Sequence, residues 1–330
     1  MESLHNNKEL FSDVIIAASN ALNIAPAIIE KDYYVTLLLK RITEKCPDII
    51  FKGGTSLSKC FKIINRFSED IDIGLNADKA TEGMRKNLKA SIKEAIDELG
   101  FELDNPEHIF TRTYYNKYQI KYPISETTAF IKPYLYVETA IFMKPFPFEI
   151  READTYVYRF LKEQEQEQII EQYGLNPFSI KVQTLDRTFI DKMFALGDYY
   201  LTGKTKGYSR HLYDLYKIMP EIAFDNSFFE LYDEVKEIRS KDVDCPSAKP
   251  EQNLKELLEK IYETDYFKSD YEDVTKELLF EDVPYNVLRI IWRVQLKRRF
   301  EDENSVQSKI CTLFSKQSRK TMWKIKVLSV

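Results

Sequence analysis

A chain of 330 residues, 44% of them hydrophobic and 31% charged, is long enough for about two domains and a sizeable core. Its net charge of −5 argues against a surface given over to nucleic acid, and no apolar run approaches the roughly eighteen residues that span a bilayer. Cys46, Cys60, Cys245 and Cys311 share no Cys-x-x-Cys spacing, and His5, His108 and His211 are the only histidines, so neither a disulfide frame nor a zinc centre is indicated. The start, Met1-Glu2-Ser3-Leu4, lacks the basic and apolar regions of a signal peptide, so a cytoplasmic protein without membrane contact is expected.

In chain order, helical spacing runs from Phe11 to Ile42, with Pro26 leading Ile28, Ile29, Tyr33, Leu37 and Leu38. Asp48 to Lys52 reads as a short buried strand closed by Gly53-Gly54, and helical spacing resumes through Leu57, Cys60, Phe61 and Ile64. Ser68 to Leu75 alternates as a strand, with Ile71, Ile73 and Leu75 on one face and Ser68, Asp70 and Asp72 on the other. Thr81 to Leu99 predicts an amphipathic helix stopped at Gly100. Two Tyr-, Ile- and Val-rich strands follow, over Tyr114 to Ile124 and Ala129 to Phe142.

After Pro145-Phe146-Pro147 the composition shifts towards helix. Leu185 to Tyr200 and His211 to Met219 read as helices, Lys241 to Asn253 as a linker, and helical patterns continue from Leu254. The expected architecture is α+β: a catalytic domain over 1–145, with a mixed sheet and helices, and an all-helical domain over 146–330. Between Arg289 and Lys326 there are eleven Lys and Arg against three Asp and Glu, a local +8. Arg289, Arg293 and Lys297 recur every four residues, so on a helix they form a cationic stripe that could hold RNA phosphates, or else a solvated face balanced by Glu301, Asp302 and Glu303.

The strongest chemical signal is Lys52-Gly53-Gly54-Thr55-Ser56-Leu57-Ser58-Lys59, followed by Arg66-Phe67-Ser68-Glu69-Asp70-Ile71-Asp72. A strand that ends in two glycines and enters a helix lets backbone N–H groups approach phosphates, and the helix start adds its positive end. Thr55 or Ser56 can cap that helix or bond a phosphate oxygen. The run lacks the Gly-Lys-Ser/Thr ending of a P-loop. Asp70 and Asp72 share one face of a strand and repel each other unless a cation lies between them. A hard cation such as Mg²⁺ suits two carboxylates and substrate phosphates. Glu138, in the later Tyr-rich strand, is the candidate third acid; an edge-strand surface residue is the other reading.

The run Gly-Gly-Thr-Ser-Leu-Ser-Lys … Arg-Phe-Ser-Glu-Asp-Ile-Asp resembles the first motif of the AbiEii/AbiGii abortive-infection toxins, a branch of the polymerase-beta-like nucleotidyltransferases. Ile29 to Val35 (Ile-Glu-Lys-Asp-Tyr-Tyr-Val) is similar to that family's N-terminal signature. Arg187 to Leu196 and Arg210 to Tyr216 are similar to its third and fourth motifs. The resemblance implies that Asp70 and Asp72 bind metal, that Lys192 holds the triphosphate, and that Asp214 is needed for catalysis. It extends the nucleotide contacts to Gly53, Gly54, Thr55, Ser56, Lys59, Arg66 and Ser68. It implies NTP as substrate, transfer to RNA such as the tRNA 3′ end, arrest of translation, a role in phage defence and a separately encoded antitoxin. From spacing alone Lys192 could snorkel outward and Asp214 could pair with Arg210 one turn before it. Two other readings compete: transfer to a small molecule or protein hydroxyl, and a nucleotide-binding regulator without activity. His211 reads as a packing residue.

Overall fold

The computed structural model describes residues 2–76, 80–110, 114–125, 132–141 and 145–291. Seven strands form one sheet in the order β3-β4-β5-β2-β1-β7-β6. They are β1 (Ile49–Lys52), β2 (Asp70–Leu75), β3 (Glu102–Leu103), β4 (Tyr115–Lys121), β5 (Tyr134–Ala140), β6 (Phe148–Ala153) and β7 (Phe178–Gln183). The centre is mixed: β2 runs antiparallel to β1 and parallel to β5, while β1 runs parallel to β7. The α+β class holds.

The segment after Pro145 is not all helical, however. β6 pairs antiparallel with β7 from Phe148↔Gln183 to Ala153↔Phe178, and β7 joins the sheet beside β1. β6 is an edge strand with most of its residues solvent-accessible, so it lacks the apolar alternation by which a strand is read. Ile180 and Val182 of β7 are buried and do alternate, but over only six residues.

Helices α1 (Lys8–Leu22) and α2 (Pro26–Lys45) come first, then the short α3 (Gly53–Ser56) and α4 (Glu82–Glu98). Proline at the first turn starts α2, where its missing N–H costs nothing. Ile29, Tyr33, Leu38, Leu39 and Ile42 of α2 are buried in the core. So are Glu30, Lys31 and Asp32, three adjacent charges that an apolar stripe does not explain. Further helices are α5 (Tyr156–Glu163), α6 (Glu167–Gln172), α7 (Leu185–Leu201), α8 (Arg210–Ile218), α9 (Asn226–Ser240) and α10 (Leu254–Glu263). β7 passes through Thr184, whose hydroxyl caps α7, so α7 begins directly at the end of a sheet strand.

The C-terminal part closes back on the first motif. Phe67 N–H donates to Leu278 O and Phe280 N–H to Asn65 O, both at 2.8 Å, giving a small antiparallel bridge just ahead of β2. The Tyr213 hydroxyl accepts from Asn65 N–H at 2.8 Å and donates to Glu281. Cys46, Cys60 and Cys245 are buried free thiols; Cys311 lies outside the described residues. Among the described residues no single helix is long and apolar enough to cross a membrane.

Candidate active site

β1 delivers the chain into Gly53, which takes φ +78°, a backbone conformation that side chains resist. A Cβ on Gly53 would fall 2.0 Å from Asp72 Oδ2, and one on Gly54 would fall 2.4 Å from an Arg66 guanidinium nitrogen and 2.9 Å from Ser68 Oγ. Both glycines are thus needed for close approach as well as for the turn. Gly53→Ala should shift Asp72 or the loop and cost about 1–3 kcal/mol of backbone strain. Transfer activity should fall even where a urea melt shows the protein still folded. Wild-type activity and stability in this variant would mean that the loop tolerates a side chain.

Thr55 and Ser68 bond each other through their hydroxyls at 2.9 Å, and the Ser56 hydroxyl donates to Gly53 O. The loop, Arg66, Ser68 and the strand carrying the acids are therefore brought together. Lys59 is not. It is buried on the far side, where its ammonium donates to Asp32 and Thr36. A π-helical turn from Leu57 to Phe61 carries it there. All three of its donors are occupied there. Lys59 is a structural counter-ion, not a phosphate ligand.

Asp70 and Asp72 lie on the open face of β2 while Ile71 and Ile73 are buried. In register, Asp72 faces Lys52 on β1 and Glu138 on β5, and Asp70 faces Tyr136. Burial first, then the charges of Glu138 and Asp70, push the Asp72 carboxyl up to about 7. Asp70 Oδ1 is buried without a hydrogen-bond partner, and the guanidinium of Arg210 stands 3.9 Å from Asp70 Oδ2. A half-buried acidic pair with this little neutralising charge could seat a cation. Glu138 is held by Lys117 at 2.6 Å and by the Tyr115 hydroxyl at 3.1 Å. Among the described residues no three His, Cys, Asp or Glu side chains converge to enclose a metal by themselves. Asp70 and Asp72 fit an ion whose other ligands come from substrate and water, and Glu138 stands beside Asp72 in register, engaged by Lys117 and Tyr115.

Asp214 does not pair with Arg210. It is fully buried and takes Arg66 Nε on Oδ1 at 2.7 Å, and both Arg66 Nη2 (2.8 Å) and Lys192 Nζ (2.7 Å) on Oδ2. Although burial opposes ionisation, these two cations hold its carboxyl far below the usual range. Lys192 is buried rather than snorkelled, and desolvation lowers its pKa against the pull of Asp214. Asp214 therefore positions two cations beneath the glycine loop. His211 is half-buried; desolvation first, then the charges of Lys192 and Arg210, keep it neutral, and it packs on Tyr199.

The N-terminal signature is explained by the same geometry. Lys31 is buried, bonds Glu69 at the start of β2, and donates to Lys132 O at 2.6 Å on the approach to β5. Asp32 binds Lys59 and accepts from Tyr156 N–H, and Glu30 accepts from Ser125 N–H and hydroxyl. This buried relay fixes β2 against β5 and so sets Asp72 beside Glu138. Sequence reasoning assigned no role to Lys31 or Lys52, and offered Arg210 only as a partner for Asp214. Their signal was a charge inside an apolar helix or strand, which needs a partner to be interpreted.

A loop that admits phosphates, a carboxylate pair that needs a cation, and cations held under the loop define a nucleotidyl-transferring site. The family model for the AbiEii nucleotidyl transferase toxin of type IV toxin–antitoxin systems matches residues 37–301, and the chain belongs to that family. It is a nucleotidyltransferase, and membership implies an NTP substrate and an antitoxin counterpart. Among solved structures, the nucleotidyltransferase toxin MenT4 of Mycobacterium tuberculosis shares the fold at a TM-score of 0.53 and 17% identity, over 89% of this chain and 90% of that one. No curated protein sequence matches.

Proposed function

We propose that this toxin is a Mg²⁺-dependent enzyme of the cytoplasm that transfers a nucleotide from an NTP to an RNA acceptor, foremost the 3′ end of tRNA, and so arrests translation and growth. The observation that carries the reading is the placement of Asp70 and Asp72 beside the Gly53-Gly54 loop, with a buried carboxylate oxygen lacking any partner. Asp70 and Asp72 would hold Mg²⁺, which supplies charge stabilisation of the transferring phosphoryl group when bound. The loop amides receive the phosphates that leave as pyrophosphate. Arg66 and Lys192, set by Asp214, place positive charge where that leaving group gathers negative charge. Among the described residues Lys192 uses one of its three donors on Asp214, which leaves others for a phosphate oxygen.

The decisive test incubates the protein with each labelled NTP, Mg²⁺ and total tRNA, and asks which polymer gains label. Label in RNA that disappears on chelation supports the reading. Label in protein or a small molecule, with none in RNA, replaces it with one of the other acceptors. Lys192→Ala should lower kcat/KM for the triphosphate by roughly 10²–10³-fold. It should also destabilise the fold, because Asp214 loses a buried partner. An unchanged kcat/KM together with lost stability would leave Lys192 as a counter-ion only.

A further inference from the structure

Displacement at phosphorus runs in line, with the attacking and leaving oxygens on opposite sides. In the sheet order the phosphate loop follows β1 on one side of β2, and β5 and β4 lie on the other. An acceptor hydroxyl that enters opposite the loop would come over β5 and β4. Inward positions there, Asn116, Tyr118 and Ile120 on β4 and Leu135, Val137 and Thr139 on β5, are buried in the core. The opposite face is partly exposed among the described residues and carries Tyr115, Lys117 and Gln119 beside Tyr134, Tyr136 and Glu138.

That open face has the composition of a base-stacking surface. Tyr136 is half-buried and directly beside Asp70 in register. The ammonium groups of Lys117 and Lys132 lie over its ring, 4.5 and 5.1 Å from the centre, so a base that stacks there displaces a flexible lysine towards its phosphates. Tyr134 follows on the same face with its ring centre 6.4 Å away, and Tyr115 is 48% exposed with its hydroxyl on Glu138. Aromatic rings on an open sheet, flanked by lysines, bind unpaired bases by stacking and their phosphates by charge. A small acceptor needs no such row. The cationic stripe expected near the C-terminus is a weaker claim: Arg289 pairs with Asp265 at 3.7 Å, and Arg293 and Lys297 lie outside the described residues.

We infer that the open face of β4 and β5 is the acceptor platform. A single-stranded RNA 3′ end stacks on Tyr136 and Tyr134, with Lys132 at its phosphates, and reaches the site from the Glu138 side of Asp72. This rests on the transfer reading above for its purpose, but binding can be measured without transfer. The probe is a fluorescein-labelled single-stranded RNA oligonucleotide with a free 3′ hydroxyl, titrated with the full chain and followed by anisotropy. Triphosphate binding is measured in parallel.

Tyr136→Ala should weaken RNA binding at least about tenfold, within the range that stacking of one base supports. Tyr136→Phe, which keeps the ring, should bind within about twofold of wild type and controls for folding. Lys132→Glu should weaken binding and flatten its salt dependence. All three should bind the triphosphate as wild type does. The platform is overturned if wild type binds no RNA, or if Tyr136→Ala binds RNA normally. It is also overturned if Tyr136→Ala loses the triphosphate equally, because the ring then belongs to the nucleotide pocket. Loss of RNA binding only in Arg293→Glu/Lys297→Glu would move the acceptor to the C-terminal region. If wild type binds RNA through Tyr136 yet passes it no label, the platform stands and transfer to RNA falls.

Discussion

Asp70→Asn and Asp72→Asn should each abolish nucleotide transfer, with a loss of at least about 10³-fold, and neither should unfold the protein. A cation in a phosphoryl-transfer site accounts for several kcal/mol of charge stabilisation, and each 1.36 kcal/mol is tenfold in rate. An amide supplies neither the charge nor the affinity that a hard cation needs.

Stability gives an independent reading of the same pair. Because the folded Asp72 pKa, about 7, lies above its unfolded value, the folded state holds the extra proton between roughly pH 4 and 7. Metal-free wild type should therefore lose stability as pH rises through that window, by no more than about 4 kcal/mol. Asp72→Asn should lack this slope, and added Mg²⁺ should raise the melting temperature of wild type alone. Thermal melts at pH 5 and 8, with and without Mg²⁺, check both signs. Full labelling by either variant, or a metal-free wild type that gains stability from pH 5 to 8, would remove the assignment.

What the sequence made legible is what depends on near neighbours. The alternation of Ile71 and Ile73 against Asp70 and Asp72 survives because a half-buried strand imposes period two. The glycine pair reads correctly because a turn against a carboxylate excludes a Cβ, and that demand falls on two adjacent positions. Glu138 lies on the alternating face of its own strand, but its place beside Asp72 and its bonds to Lys117 and Tyr115 depend on strand register, which the sequence does not display. Lys59, a nucleotide contact by the resemblance, is turned instead towards Asp32 and Thr36 by the π-helical winding of Leu57–Phe61, a partner choice that the motif does not display. Arg66 and Asp214 are 148 residues apart in the chain, and nothing in either motif announces the other. Buried charges such as Lys31 and Asp32 looked like ordinary helix polarity until the third dimension supplied Glu69 and Lys59.

Asp214→Ala should be the most destabilising single change in the site, costing about 3–5 kcal/mol. It would strand Arg66 and Lys192, two buried cations whose shared partner it removes. Asp214→Asn should cost less, because an amide oxygen can still accept from Arg66. Both should misplace Arg66, which lies against Gly54, and so raise the KM for the triphosphate as well as lower kcat. The pH dependence has a definite sign. The folded Asp214 pKa is depressed, so its contribution is fully present above the unfolded value near pH 4 and is lost only as pH falls through the folded value. The stability gap between wild type and Asp214→Asn should therefore be constant from about pH 8 to 5 and shrink below about pH 4. Urea melts across that range measure it directly. A gap that widens in acid, or an Asp214→Ala variant within about 1 kcal/mol of wild type, would mean that Asp214 does not carry the buried cations. The need for Asp214 in catalysis, which the family resemblance implies, would then have to rest on something other than holding these cations.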